Sequence, residues 1–228
     1  MPRKNLFTKD MFINDAFKII REKGRDKLSA RSLARELGCS TMPVYSYLKS
    51  MKTLVNDLEE KAVDLMVTYQ TTSSTGQPFL DMGLGYVLFA RNEKNLFRFL
   101  FMDQERSQRH NRAGRQRRDS EKDLLSLLFA GEEKDRRHGR DRKNPRIAVF
   151  NKLIAGMKTD PDLQGLDDKQ LESILTKMWI FTHGLAYLAN SNLLIRNDEE
   201  FINQAIYDTG FFVIQGEINR KKDTSGGL

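Results

Sequence analysis

Cysteine, tryptophan, proline and histidine are all scarce in this 228-residue chain, which has one Cys, one Trp, five Pro and three His. A lone Cys39 cannot form an intrachain disulfide, which fits a reducing compartment and leads us to expect a cytoplasmic protein. With no Lys, Arg or His beside it, Cys39 reads as a small turn residue rather than a redox sensor. His110, His138 and His183 are too far apart for local metal-ligand spacing, and "GLG" at Gly83–Gly85 lacks the third glycine and the preceding strand of a phosphate loop. We therefore expect no metal, no cofactor and no enzymatic activity. No window approaches 18 uninterrupted apolar residues, and "MPRKNLFTKDMF" has no apolar signal region, so neither a membrane span nor export is expected. Strict apolar alternation is almost absent as well, which leaves an all-α chain as the expected fold class.

What the chain does have is positive charge and helical periodicity. A formal charge of +7 and a pI near 9.4 favour a polyanionic partner, although basic solvated surfaces without a partner are common. A first helix is predicted from the N-cap Thr8 to Lys23, stopping at Gly24, with Phe12, Ala16, Ile19 and Ile20 on one face. Ser29 is the N-cap of a short second helix with Leu33, Ala34 and Leu37 inward, and Gly38 follows where a helix end wants positive φ. Ser40 or Thr41 caps the next helix, with Pro43 in its first turn, where the missing N–H is no loss. Helix, glycine turn, helix is the helix-turn-helix order. A longer helix from Lys52 ends at "TTSSTGQP", the clearest domain boundary. This gives a division into 1–52, a connecting helix and linker 53–75, and 76–228. Later helices are predicted as a pair hinged near Asn92–Asn95, then Leu124–Ala130, Ile147–Met157, Lys169–Asn190 and Glu199–Arg220.

In "STMPVYSYLK" two tyrosines lie two residues apart. With Val44 set at 0° and about 100° per residue, Leu48 falls near 40°, Tyr45 near 100° and Tyr47 near 300°. Val44 and Leu48 thus define the core side and the tyrosines flank it, while Met42, Pro43 and Ser46 point outward. In a major groove that arrangement offers base edges to the outward face and phosphates to the tyrosine hydroxyls. The other use for such a pair is to seal a three-helix core.

"LSARSLARELGCSTMPVYSYLKSMKTLV" resembles the DNA-binding motif of the TetR family of bacterial regulators. Ser29, Leu33, Ala34, Gly38, Ser40, Val44 and Tyr45 match at the family spacing, with Tyr47 at its aromatic or His position and Leu48 at its Phe position. The resemblance implies a recognition helix over 41–48, phosphate contacts from Tyr45 and Tyr47, and groove contacts from Thr41, Met42, Pro43 and Ser46. Met51 stands where the family places a phosphate-binding Lys, and Lys49 and Lys52 are the neighbouring substitutes. Ser29, Arg31 and Ser40 complete the candidate DNA-binding set.

Helix 169–190 is apolar on both sides, with Leu171, Ile174, Met178, Leu185 and Ala189 on one and Trp179, Phe181 and Leu188 on the other. A helix apolar all round is buried on both faces, one of them here against a partner. The last helix repeats the theme with Ile202, Ala205, Ile206, Val213 and Gly216. Two such helices from each subunit make a four-helix dimer interface, and we take these ten residues, Leu171 to Ala189 and Ile202 to Gly216, as the expected contact set. "WIFTHGLA" is similar to a Trp-x-x-x-His-Gly signature in one TetR subgroup, at Trp179, His183 and Gly184, and "YVLFARNEKNLFRFLF" to a second block of that subgroup.

The resemblance implies an effector pocket for an unknown small molecule. Candidate lining residues are Met66, Tyr69, Met82, Tyr86, Phe89, Phe97, Phe101, Phe150, Trp179 and His183, each of which also suits an ordinary core. Six arginines and no acid fall between Arg106 and Arg118; this run reads as a solvated face or loop, an extra nucleic-acid contact, or a site for an acidic ligand. The expectation is a homodimeric repressor that binds palindromic double-stranded operator DNA and is released by its effector. The rival is an adaptor module that uses the arginine run on an acidic partner. An RNA-binding protein is a third reading, for which no aromatic strand motif is present.

Overall fold

The computed structural model describes residues 7–72, 74–103, 145–194 and 196–225, the side chains of 145–150 and 221–225 excepted. The arginine run 106–118, the helix predicted at 124–130 and the Phe150 side chain lie outside the described residues. Within them every regular element is helical: α1 (Lys9–Lys23), α2 (Ala30–Glu36), α3 (Thr41–Leu48), α4 (Met51–Thr71), α5 (Pro78–Asn92), α6 (Lys94–Phe101), α7 (Pro145–Met157), α8 (Asp168–Asn190) and α9 (Glu199–Ser225). The chain is all-α, and among the described residues no helix is long and apolar enough to cross a membrane.

Two compact units form. The first holds described residues 7–66 and 89–103, the second 67–88 and those from 145 onward. The sequence-based division at 52 and 75 differs from this chiefly in where residues 89–103 fall.

In the first unit, the Thr8 hydroxyl accepts the Met11 N–H at 3.3 Å and opens α1, and Gly24 closes it with φ 90°. Ser29 and Ser32 cap α2 reciprocally, with Ser32 standing where Glu or Gln usually completes such a box. Gly38 takes φ 63° between α2 and α3, a conformation that costs a side-chain-bearing residue roughly 1 kcal/mol. Glu36 of α2 accepts from Lys23 at 3.2 Å and Lys18 at 3.4 Å, and the Lys23 contact above all holds its carboxyl below the ordinary range. Phe12, Ile20, Leu33, Leu54 and Leu58 are fully buried, each stabilising the unit by about 2 kcal/mol relative to exposure.

α6 packs on α1. Its junction with α5 carries Glu93, buried at 5% exposure, whose two oxygens accept from Nε and Nη2 of Arg21, and the Asn95 amide donates to the Arg21 carbonyl at 3.0 Å. A two-point guanidinium–carboxylate contact is the strongest geometry such a pair has. It fixes the hinge expected near Asn92–Asn95 against the end of α1.

In the second unit α8 packs on α7 and α9. A Cβ at Gly85 would lie 2.1 Å from the Tyr69 carbonyl oxygen, so this part of α5 meets the end of α4 backbone to backbone and only glycine fits. Glu217 on α9 is buried and accepts from Ser173 (2.7 Å) and Lys177 on α8 and from Arg220 (2.9 Å), and the Lys177 contact chiefly lowers its pKa. The "TTSSTGQP" break is pinned too. Asp81 Oδ1 accepts from the Ser74 hydroxyl (2.7 Å) and the Thr75 N–H (2.9 Å). Burial pushes that carboxyl up, and these hydrogen bonds outweigh it and hold it low.

The expected dimer face requires correction. Leu171, Ile174, Met178, Leu185, Ala189, Ile202 and Ile206 are buried within the chain itself, and Ala205 and Val213 are half-buried; only Gly216 is exposed. The apolar side left in solvent is the other one: Ile180, Tyr187 and Leu188 on α8, and Tyr207, Phe211 and Phe212 on α9. Periodicity marks two apolar faces on such a helix but does not say which belongs to the chain's own core.

Arg21→Met leaves Glu93 buried without its guanidinium. We expect a loss of about 2 kcal/mol in denaturant unfolding, less than for a fully buried pair because the Arg21 side chain is half exposed. Adding Glu93→Leu is expected to recover most of that loss, and a double variant no more stable than Arg21→Met would refute the assignment.

Candidate functional site

α3 is the smallest amphipathic unit of the fold. Val44 and Leu48, one turn apart, are 1% and 2% exposed, and α3 packs through its inner side on α1 and α2. Fixing these two sets the outward side: Thr41, Met42, Tyr45 and Ser46 are exposed, with Met42 at 77% and Tyr45 at 57%, and Pro43 is half-buried. No acidic residue lies on α3. Ser29, Arg31, Ser40, Lys49 and Lys52 are exposed, while Met51 is half-buried.

The tyrosines are not equivalent. Tyr45 stands in solvent, whereas the Tyr47 ring stacks on Phe12 of α1 with centroids 5.4 Å apart and an interplanar angle of 26°. The helical projection placed them symmetrically because it has no knowledge of the aromatic residue waiting on α1.

Two backbone features escaped the sequence reading. Ser40 occupies the N-cap position of α3 but makes no side-chain cap hydrogen bond. A serine cap usually takes the N–H of the second or third helical residue, and the third here is Pro43, which has none. The other feature is Lys49, at φ 58°, ψ −51°, with the Ser50 N–H donated to the Leu48 carbonyl at 2.5 Å. That is a γ-turn of the rare positive-φ kind, a conformation costing on the order of 1–3 kcal/mol. Neither Ser40 nor Lys49 belongs to a residue type that advertises these roles.

The second unit contains a cavity of about 260 Å³. Met82, Tyr86 and Trp179 of the expected set line it, joined by Leu175, Met178 and Ile206. Tyr69 and His183 do not line it. Met66, Phe89, Phe97 and Phe101 fall in the first unit, where the Phe97 and Phe101 rings pack 4.9 Å apart. Sequence reasoning missed the polar lining, which includes Gln70, Gln77, Asp160, Asp162 and Thr182. Gln70 and Asp160 sit in different segments and match no motif, so no signal in the chain joins them. Among the described residues no cluster of three or more His, Cys, Asp or Glu is placed to hold a metal.

Behind the buried Tyr86 lie the half-buried rings of His183 and Trp179. The Tyr86 hydroxyl lies 2.8 Å from His183 Nδ1 and is also hydrogen-bonded to Trp179, whose ring stacks on His183 at 5.1 Å. Burial lowers the His183 pKa and so favours the neutral imidazole, whose tautomer sets which of Tyr86 Oη and His183 Nδ1 donates in the bond between them. Burial raises the Tyr86 pKa and lowers that of His183. The folded state therefore disfavours imidazolium. His183 contributes stability that is present above its unfolded pKa, about 6.5, and is lost as pH falls through that value toward the lower folded one. We expect stability to decline between about pH 7 and pH 5, and His183→Gln to flatten that decline in thermal melts; an unchanged pH profile in the variant would disprove the neutral assignment.

No protein-family model matches the chain, and no curated protein sequence does. Among solved structures it is similar to a protein of unknown function from Rhodococcus sp. RHA1, with 15% identity, 95% of this chain and 98% of that one covered, and a TM-score of 0.56. A TetR-like transcriptional regulator from Rhodococcus sp. RHA1 aligns with 11% identity over 87% of this chain and 93% of that one, at a TM-score of 0.44. The first of these likenesses is one of fold: a shared, all-helical architecture along nearly the full length of both chains.

Proposed function

We propose that this chain is a sequence-specific DNA-binding transcriptional regulator, a homodimeric repressor released from its operator by a small molecule. The observation that carries the reading is α3: a short helix held by Val44 and Leu48 whose outward side offers Thr41, Met42, Tyr45 and Ser46 and no carboxylate. In a major groove the Tyr45 hydroxyl and the uncapped N–H groups at the start of α3 meet phosphates, and Thr41, Met42, Pro43 and Ser46 meet base edges. Tyr47, bedded on Phe12, has a smaller part in this scheme than the sequence alone assigned to it. Arg31, Lys49 and Lys52 supply charge at the rim.

Dimerisation in this scheme uses the apolar side that the chain leaves uncovered, Ile180, Tyr187 and Leu188 with Tyr207, Phe211 and Phe212. Two copies then present two α3 helices to successive half-sites of a palindrome. The effector occupies the cavity of the second unit and favours a dimer whose reading helices no longer match the half-site spacing. It does so only to the extent that it binds that state more tightly.

Selection from random duplex DNA is expected to enrich a palindrome, with affinity falling steeply as salt rises; recovery of no common sequence would sink the proposal. Tyr45→Phe is expected to weaken binding about ten-fold on all sequences, the loss of one charge-assisted hydrogen bond, whereas Met42→Ala changes which base pairs are preferred. For the dimer, Phe212→Asp is expected to yield monomers in sedimentation experiments while leaving the helical content unchanged. A dimer as tight as wild type would move the interface elsewhere.

A further inference from the structure

The lining of the second-unit cavity has a sign. Its wall includes two carboxylates, Asp160 and Asp162, and among the described residues that line it there is no Lys, Arg or His. Asp160 is 2% exposed; its oxygens accept from the backbone N–H groups of Phe79 at 2.8 Å and Asp162 at 3.0 Å. Asp162 accepts from the Gln77 side-chain amide at 3.2 Å. Dipoles therefore hold both carboxylates, and among the described residues neither is paired with a cation, so the described wall of the cavity is negative.

A second, independent feature is Gln70. It is 8% exposed and lines the cavity, and its Oε1 is buried with no hydrogen-bond partner among the described residues. A buried amide oxygen left unpaired costs about 1–3 kcal/mol, a cost that a ligand donor removes on binding. The apolar part of the wall combines aliphatic, thioether and aromatic side chains, with Met82, Met178 and Trp179 offering polarisable surface to a cation.

We propose that the cavity binds a lipophilic organic cation with an N–H donor, an arylalkyl ammonium in chemical type, and rejects anions of the same shape. The ammonium is drawn by the carboxylates and donates to an oxygen of the wall, and the apolar tail fills the Met and aromatic side. This rests on the cavity being the effector site of the regulator proposed above and names the chemistry of that effector.

Trp179, the only tryptophan of the chain, lines the cavity, so its fluorescence reports occupancy directly. Full-length protein is titrated with 4-phenylbutylamine, 4-phenylbutan-1-ol and 4-phenylbutanoate, a cation, a neutral molecule and an anion of similar size. The amine is expected to bind at least about five-fold more tightly than the alcohol, the gain from one partly screened charge pair, and the anion not at all. Asp162→Asn, an exposed site, is expected to remove most of the amine's advantage and leave alcohol binding unchanged, while Gln70→Leu weakens amine and alcohol alike. Equal affinity for amine and anion, or amine binding indifferent to Asp162→Asn, would overturn the proposal. Selection of a palindrome by a protein whose Trp179 responds to none of the three ligands would refute this inference and leave the regulator standing. Amine binding by a protein that selects no DNA would do the reverse.

Discussion

An isolated helix of eight residues is not stable in water, because nucleation costs more than so few hydrogen bonds return. α3 exists because Val44 and Leu48, four positions apart, are driven out of water against α1 and α2. Once these two are buried the helix has no rotational freedom left, and every other side chain on it is assigned a direction. Met42 and Tyr45 are exposed as a consequence of what is buried. Gly38 makes this possible at the level of the chain, since the turn between α2 and α3 requires the positive φ that glycine alone adopts freely.

The second unit depends on a different constraint, the cost of burying charge. Asp81, Asp160 and Glu217 are each less than 10% exposed, and each has its charge met locally. Hydroxyls and a backbone N–H of the preceding turn hold Asp81, backbone N–H groups hold Asp160, and Lys177, Ser173 and Arg220 hold Glu217. These contacts tie a turn to the helix after it, the start of α5 to the 3-10 turn at Pro161–Leu163, and α8 to α9. Among the described residues of this unit, two buried side-chain oxygens have no hydrogen-bond partner, Asp81 Oδ2 and Gln70 Oε1, and of these two residues only Gln70 belongs to the cavity wall.

Local signals in the sequence read well. Thr8, Ser29 and Gly24 mark helix ends through hydrogen-bond chemistry confined to three or four residues, and they lie where that chemistry predicts. The Val44 and Leu48 register is equally local. What sequence could not give were pairings across long separations. Arg21 and Glu93 are 72 residues apart, and nothing near either names the other. The two apolar faces of α8 are alike in composition, so the choice of Ile180 over Ile174 as the exposed isoleucine is settled only by packing with α7 and α9. The cavity was legible in part, at Met82, Tyr86 and Trp179, because aromatics and methionine are common to cores and pockets; its polar wall was not, because polar residues scattered over separate helices, a loop and a 3-10 turn have no spacing.

Pro43 shows how one residue can break a local rule that other helices of the chain keep. α1, α2 and α8 all begin on a side chain that accepts a backbone N–H of the first turn: Thr8, Ser29 and Asp167. α3 begins on Ser40 with no such bond, forgoing about 1 kcal/mol. The proline removes the donor that a serine cap would take, and burial of Val44 and Leu48, about 2 kcal/mol each, offsets the loss. The N–H groups of Thr41 and Met42 then remain uncommitted at the positive end of the helix dipole, on a side that bears no carboxylate. A capped α3 would be more stable and would have spent that polarity on itself. Left uncapped, the start of the helix keeps that polarity unspent, and Ser40 and Pro43 act together in that arrangement.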